Sequence, residues 1–373
     1  MRIMFIIRSL ANAHGVERTF IDKANYLAEH GHDVLMVTYE QGLHGYAYPV
    51  SSYVKRIDLD CRYFTIFDYS IPRRLLEANK IKNRFKKRIR ILTEETLPDV
   101  VVASTYEGEF MNEIVGLKDK TRVILESHTA FVAHLNGNNL IEKVRKHFVL
   151  NKIKCCDLLI ALTRQDANYW KRYVKNVIVV VNPLPDYIEE LKQEEKVVGR
   201  IMAAGSLQHI KRFDRLIDAF SLIADQYPQW HVVIYGDGPE KQELKKKIFQ
   251  YGLEGRFFLK GLTHNIYSEY LRSQFFVLSS DNEGFGLVII EAMSCGLPVV
   301  STDCPFGPRE IIADGKTGLL SRLDAEDLAA KMEWMITHEK ERMEMGENAH
   351  KSASRYKMDN VMKEWEAAYL SVI

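Results

Sequence analysis

The sequence is poor in cysteine and proline, and each scarcity narrows what the chain can be. Its 373 residues include five cysteines (Cys61, Cys155, Cys156, Cys295, Cys304) and ten prolines. An odd cysteine count with one adjacent pair and no C-x-x-C or Cys/His spacing argues against a disulfide framework or a structural zinc module. The thiols read as reduced packing residues of a cytoplasmic protein. Long apolar runs are missing too. MRIMFIIRSL holds five consecutive apolar residues between Arg2 and Arg8, too few for a signal-peptide core, and no later run approaches the ~20 residues of a membrane span. Nor is there an excess of one charge: 51 Lys+Arg against 50 Asp+Glu leaves +1, no global field for nucleic acid, and no nucleic-acid partner is expected. What is present is ordinary globular composition, 46% apolar and 27% charged, in a chain long enough for two or three domains.

Charge divides the chain. Residues 1–185 carry 28 Lys+Arg and 20 Asp+Glu, and residues 186–373 carry 23 and 30. Between them NPLPDYIEELKQEEKVVGR is polar and contains two prolines, which suits a linker, so a boundary is expected near 182–198. Both halves alternate short β-branched runs with helical spacing: IMFII, HDVLMVT, PDVVVAS, TRVILES, DLLIALT and VIVVV in the first, RIMAAGS, HVVIYG, RFFLKG, QFFVLSS and LPVVST in the second. Strands without in-out alternation are buried on both faces, and strand-helix alternation builds parallel sheets by right-handed crossovers. The expected fold is α/β, two tandem Rossmann-like doubly wound domains over 1–185 and 186–373, facing across a cleft, with a helical segment after about residue 340 expected to return to the first domain.

Open parallel sheets bind ligands beyond the carboxyl ends of their strands. After the first strand, Gly15 precedes a helix expected from about Val16, where amides can meet a phosphate or simply make a turn. The G-x-G-x-x-G dinucleotide fingerprint is absent. After VILES come His128 and then Asn136, Gly137 and Asn138. The richest stretch is residues 279–312, SSDNEGFGLVIIEAMSCGLPVVSTDCPFGPREII. A helix is expected from about Gly284, its first amides over Gly284–Leu287 forming an anion site. Glu283 at the turn and Glu291 two helical turns on read as acceptors for sugar or ribose hydroxyls, or else as an N-cap and a solvated helix position respectively.

EGFGLVIIEAMSCGLPVVST resembles the Glu, seven residues, Glu signature of retaining GT-B glycosyltransferases of family 4. AHGVERTF…HGHDVLMVT, GSLQHIKRFDRLIDAF, YGDGPE, KGLTHN, GPREII and DGKTGLL agree in order, so the resemblance spans about residues 1–340. It implies a metal-independent transferase without a cofactor that moves a hexose or N-acetylhexosamine from a nucleotide-diphospho sugar, most often of UDP, to a glycan or lipid-linked acceptor. By that resemblance Glu291 takes the ribose hydroxyls, Glu283 with Gly284, Phe285, Gly286 and Leu287 holds the donor sugar and phosphate, and Lys211 neutralises the diphosphate. Gly15 lets the first loop approach, and His128 stands beside the donor sugar. Catalysis would fall to Glu283, His128 and Lys211.

Two positions depart from the pattern. Ser206 stands where similar enzymes have Arg, which makes Arg212 or Arg309 the candidate substitutes, and His14 replaces the first glycine of the G-G-x-E-R loop. Ser206 keeps open a non-catalytic nucleotide-sugar sensor or scaffold, and Asp58-Leu59-Asp60 a metal-dependent GT-A transferase. Residues 73–92 hold nine Lys or Arg and one Glu, with Leu75, Leu76, Ile81, Phe85, Ile89 and Leu92 at helical spacing. Such a helix suits an anionic membrane surface, so peripheral attachment at the inner face of the plasma membrane is expected.

Overall fold

The computed structural model describes the chain apart from residues 13, 132–139, 186–193 and 264, and apart from the side chains of 140–143, 145 and 146. Asn136, Gly137 and Asn138 therefore lie outside the described residues. The chain divides into two compact units, Met1–Asn182 with Val361–Ile373, and Pro183–Asn360. Its last residues belong to the unit in which it begins.

The first unit is built on seven parallel strands in the order β3-β2-β1-β4-β5-β6-β7. They are β1 (Arg2–Ile7), β2 (Asp33–Thr38), β3 (Lys55–Asp58), β4 (Val100–Ser104), β5 (Arg122–Ser127), β6 (Leu158–Ala161) and β7 (Val177–Val179). The helices α1 (Gly15–Glu29), α2 (Ile71–Thr96), α3 (Met111–Val115), α4 (Leu140–Ile153) and α5 (Arg164–Trp170) carry the crossovers. Every residue of β4 is buried, which is why VVVAS shows no alternation. Short, charged β3 lies at the sheet edge and escapes a search for apolar runs.

The second unit has six parallel strands in the order β10-β9-β8-β11-β12-β13. These are β8 (Arg200–Ala204), β9 (His231–Tyr235), β10 (Phe257–Gly261), β11 (Phe275–Leu278), β12 (Val299–Thr302) and β13 (Gly318–Ser321). Around them run α6 (Phe213–Ile223), α7 (Lys241–Gln250), α8 (Ile266–Leu271), α9 (Leu287–Ser294), α10 (Pro308–Ile311), α11 (Ala325–Thr337) and α12 (Glu339–Ala353). The final helix α13 (Met358–Leu370) starts in this unit and ends in the first.

Helix α2 divides its apolar stripe between core and surface. Ile81, Phe85, Ile89 and Leu92 are buried in the first unit's core, whereas Leu75 and Leu76 are exposed along with Ile71, Phe64 and Phe67. Periodicity reports which residues share a face, not where the core beneath that face stops. All five cysteines are free, with Cys61, Cys295 and Cys304 buried.

Candidate functional site

In the second unit the chain winds outward from β8 through β9 to β10, then returns to β11 on the opposite side of β8. Loops leaving the carboxyl ends of β8 and β11 therefore diverge, and a crevice between diverging loops is where open α/β sheets take ligands. Most residues singled out from the sequence stand on these two loops: Ser206, Lys211 and Arg212 after β8, Glu283 to Leu287 after β11.

The loops are tied together by their backbones. The amide of Asp281 donates to the Ile210 carbonyl at 2.9 Å, and the Ser279 hydroxyl donates to the Lys211 carbonyl at 2.9 Å. Across this tie the Lys211 ammonium meets both carboxylate oxygens of Glu283, at 2.7 and 2.8 Å, and the Ser280 hydroxyl donates to Oε1 at 2.6 Å. Glu283 is buried, so its charge is held by a partner as burial demands.

Helix α9 starts at Leu287, not at Gly284. Gly286, at φ 99°, makes the left-handed cap before it, and Gly284 and Phe285 lie in the loop. The neighbouring chain sets this geometry: a Cβ on Gly307 would stand 2.2 Å from the Phe285 carbonyl oxygen, so the two backbones touch only because residue 307 has no side chain. Among the described residues no acceptor is paired with the amides of Gly284, Phe285, Gly286 or Leu287. Buried Glu291 lies further along α9 and accepts from the Tyr270 hydroxyl at 3.1 Å. It is not a solvated helix position.

The proposed substitute cations differ from expectation. Arg212 is clamped by Asp214 and Asp281, with contacts of 3.0 Å to each, and these hydrogen bonds raise its already high pKa further. Arg215, which the sequence reading missed, donates to the Ser279 carbonyl at 2.8 Å and also pairs with Asp281. Two guanidiniums thus brace the loop after β11, and Arg212 is committed to that work. Arg309 pairs with Asp303 but is exposed, so its pair is weakly held. Ser206, which follows β8 on the same loop as Lys211 and Arg212, brings only a neutral hydroxyl.

In the first unit Gly15 opens α1, and His14 before it is extended without a side-chain cap. His128 is buried, its Nε2 2.7 Å from Glu126. Lys23 and Tyr369 bind the same carboxylate, and none of the three residues Lys23, Glu126 and Tyr369 was anticipated. At the β1/β4 switch of this sheet stands a second buried carboxyl, Glu107, bonded by Tyr39. The D-x-D alternative fails. Asp58 is occupied by the Thr38 hydroxyl at 3.0 Å and the Gly42 amide at 3.0 Å, Asp60 pairs with Arg62, and two parallel sheets are not a GT-A architecture.

Two doubly wound units with a charged crevice at a switch point define a two-domain GT-B glycosyltransferase. Residues 13–185 match the model of Glycosyltransferase Family 4 and residues 188–352 that of Glycosyl transferases group 1. The chain belongs to the group 1 glycosyltransferases, and its donors are nucleotide sugars. The amylovoran biosynthesis glycosyltransferase AmsD of Erwinia amylovora is 27% identical, over 98% of this chain and 98% of that one. The GalNAc-alpha-(1->4)-GalNAc-alpha-(1->3)-diNAcBac-PP-undecaprenol alpha-1,4-N-acetyl-D-galactosaminyltransferase of Campylobacter jejuni is 28% identical over 98% of this chain and 97% of its own. Among solved structures, sucrose-phosphate synthase from Thermosynechococcus elongatus superposes with a TM-score of 0.82 at 17% identity, covering 100% of this chain and 99% of that one. Anabaena Alr3699/HepE in complex with UDP gives 0.72 at 18% identity, with both chains covered in full.

Proposed function

We propose that the chain transfers a hexose or N-acetylhexosamine from a UDP-sugar to a glycan or lipid-linked acceptor, with retention at the anomeric carbon and without a metal or cofactor. The observation that carries this reading is the Lys211–Glu283 pair in the β8/β11 crevice beside the unpaired amides of Gly284 to Leu287. Those amides and the Lys211 ammonium supply fixed positive charge where a diphosphate leaves, the term that contributes most to such a transfer. Glu283, already fixed by Ser280, accepts from donor-sugar hydroxyls. Glu291, fixed by Tyr270, accepts from the ribose. Same-face attack lets the departing phosphate oxygen take the acceptor's proton, so no protein nucleophile is required. His128 faces the donor sugar in this reading. The relatives named for amylovoran biosynthesis and for an undecaprenol-linked acceptor favour surface-glycan assembly, and α2 supplies an attachment to the anionic leaflet where lipid-linked acceptors reside.

Binding across a panel of nucleotides and nucleotide sugars should rank UDP and its hexose or N-acetylhexosamine esters first. Glu291→Gln keeps an acceptor for Tyr270 but removes the charge, and should weaken UDP by about 1.5–3 kcal/mol, roughly 10- to 150-fold. Bare UDP bound equally well by variant and wild type removes Glu291 from the site. Product stereochemistry by anomeric proton coupling, and turnover after chelation, test retention and metal independence.

A further inference from the structure

Three donors converge on one buried carboxylate at the end of β5. The Glu126 side chain has no exposed surface, and neither has that of Lys23, whose ammonium binds Oε2. Nε2 of His128 stands 2.7 Å from the same oxygen, and the Tyr369 hydroxyl donates to Oε1 at 2.9 Å. The surroundings are aromatic. Lys23 lies 3.6 Å from the centroid of Trp365 and 5.2 Å from that of Phe20, the Phe20 and His128 rings are 5.4 Å apart, and Phe5 packs edge-on against Phe20 and Tyr369.

A single carboxylate in an apolar shell accommodates a single positive charge, because a second would be buried uncompensated. Lys23 and His128 compete for that place, and an amine of reference pKa about 10.4 holds its proton against an imidazole of about 6.5. A carboxylate only accepts, so Nε2 must carry the proton it shares with Glu126; in a neutral ring Nδ1 is then the acceptor.

We propose that Lys23 is a positioning residue for His128: by supplying the positive charge at Glu126 it keeps the imidazole neutral, with its proton on Nε2 and a lone pair on Nδ1, while Tyr369 fixes the carboxylate orientation that allows this. Burial, with Lys23 adding to it, lowers the pKa of His128 against the raising effect of Glu126. Burial raises that of Glu126, but Lys23 and His128 outweigh it and hold the carboxyl at about 2. The charged and titratable groups facing the cluster come from α1 (Lys23), β5 (Glu126) and α13 (Tyr369). The next carboxylate, Asp166, is turned to the Ser127 hydroxyl at 2.7 Å and the Phe131 amide at 2.7 Å. The use of this arrangement rests on the proposed place of His128 beside the donor sugar, where a neutral Nδ1 accepts from a sugar hydroxyl and an imidazolium would not.

The experiment is two-bond 1H–15N correlation on the uniformly 15N-labelled full chain between pH 5 and 8, with His128 assigned by the signal lost in His128→Gln. Wild type should show the Nε2–H tautomer and no titration in that range. Lys23→Met should bring the His128 midpoint up by on the order of one to two pH units, Lys23→Arg should restore the wild-type spectrum, and Tyr369→Phe, which removes one donor from Glu126, should shift it the same way by less. In Lys23→Met, kcat should acquire an acid limb at the NMR midpoint with the donor KM unchanged. An imidazolium or Nδ1–H ring in wild type, or an unmoved midpoint in folded Lys23→Met, overturns the proposal. Should Lys23→Met fail to fold, an unmoved Tyr369→Phe does so. If the midpoint moves while the kcat profile does not, the charge assignment stands and the reading of His128 at the donor sugar falls.

Discussion

At the scale of single residues, the first unit holds two buried carboxyls with opposite fates. Glu126 is surrounded by donors and stays charged. Glu107 is bonded by Tyr39 and by the Arg8 amide, yet burial dominates and pushes its carboxyl up to about 8. At neutral pH the folded chain therefore keeps a proton on Glu107, whereas the unfolded chain, with a carboxyl near 4.3, releases it. Folding stability from this group is full below about pH 4.3 and is lost as pH rises through about 8, at up to about 1.4 kcal/mol per pH unit. Glu126 works in the opposite window, its contribution lost as pH falls below about 4. Glu107→Gln, which cannot ionise, should flatten the decline in urea midpoint between pH 5 and 8, and an unchanged slope would show Glu107 charged in the folded state. None of this could be read from the sequence. Glu283, Lys211 and Glu291 could be, because they sit in a motif at fixed spacing, whereas Lys23, Glu126 and Tyr369 meet only after 103 and 243 residues of intervening separation have folded away.

At the scale of elements, most strands were legible because runs of three to five β-branched or other apolar residues between turn signals admit few other readings, and the short edge strands β3 and β13 were not. One helix boundary, set by a glycine contact, was misplaced. The start of α9 depends on where Gly307 meets Phe285, a contact between loops rather than a local preference. Helix α2 was legible as amphipathic, but its sequence could not say that the apolar stripe outruns the core. The exposed Phe64, Phe67, Ile71, Leu75 and Leu76 form an apolar tip at the start of a helix carrying nine cations between residues 73 and 92. Cations near an anionic surface contribute up to about 1 kcal/mol each, screened over ~8 Å at physiological salt, and an apolar tip adds a term that salt does not screen. Vesicle binding should rise with anionic lipid and fall with salt. Replacing Arg84, Lys86, Lys87, Arg88 and Arg90 with Gln should remove the salt-sensitive part, and Leu75→Ser with Leu76→Ser the residual part. Indifference of wild type to anionic vesicles at low salt would make α2 a solvated helix.

At the scale of the whole molecule, the chain closes the first unit with its own last residues. Trp365 and Tyr369 of α13 are fully buried there, and the Trp365 indole donates to the Val181 carbonyl at 2.9 Å. Trp365 also covers the Lys23 ammonium. Replacing it therefore removes apolar burial, a hydrogen bond and a cation–π contact at once, and leaves a buried charge open to water. Trp365→Ala should cost about 3–5 kcal/mol, a large share of the ~5–15 kcal/mol that holds a domain folded. The second unit has its own core, from Ile201 to Met345, which does not include α13. Hydrogen exchange should consequently show β1, β4 and β5 losing protection in Trp365→Ala while β8, β9 and β11 keep theirs, and UDP binding by the second unit should survive. Uniform loss of protection across both units would mean that they unfold as one cooperative body, and no loss in the first would mean that α13 contributes little to its stability.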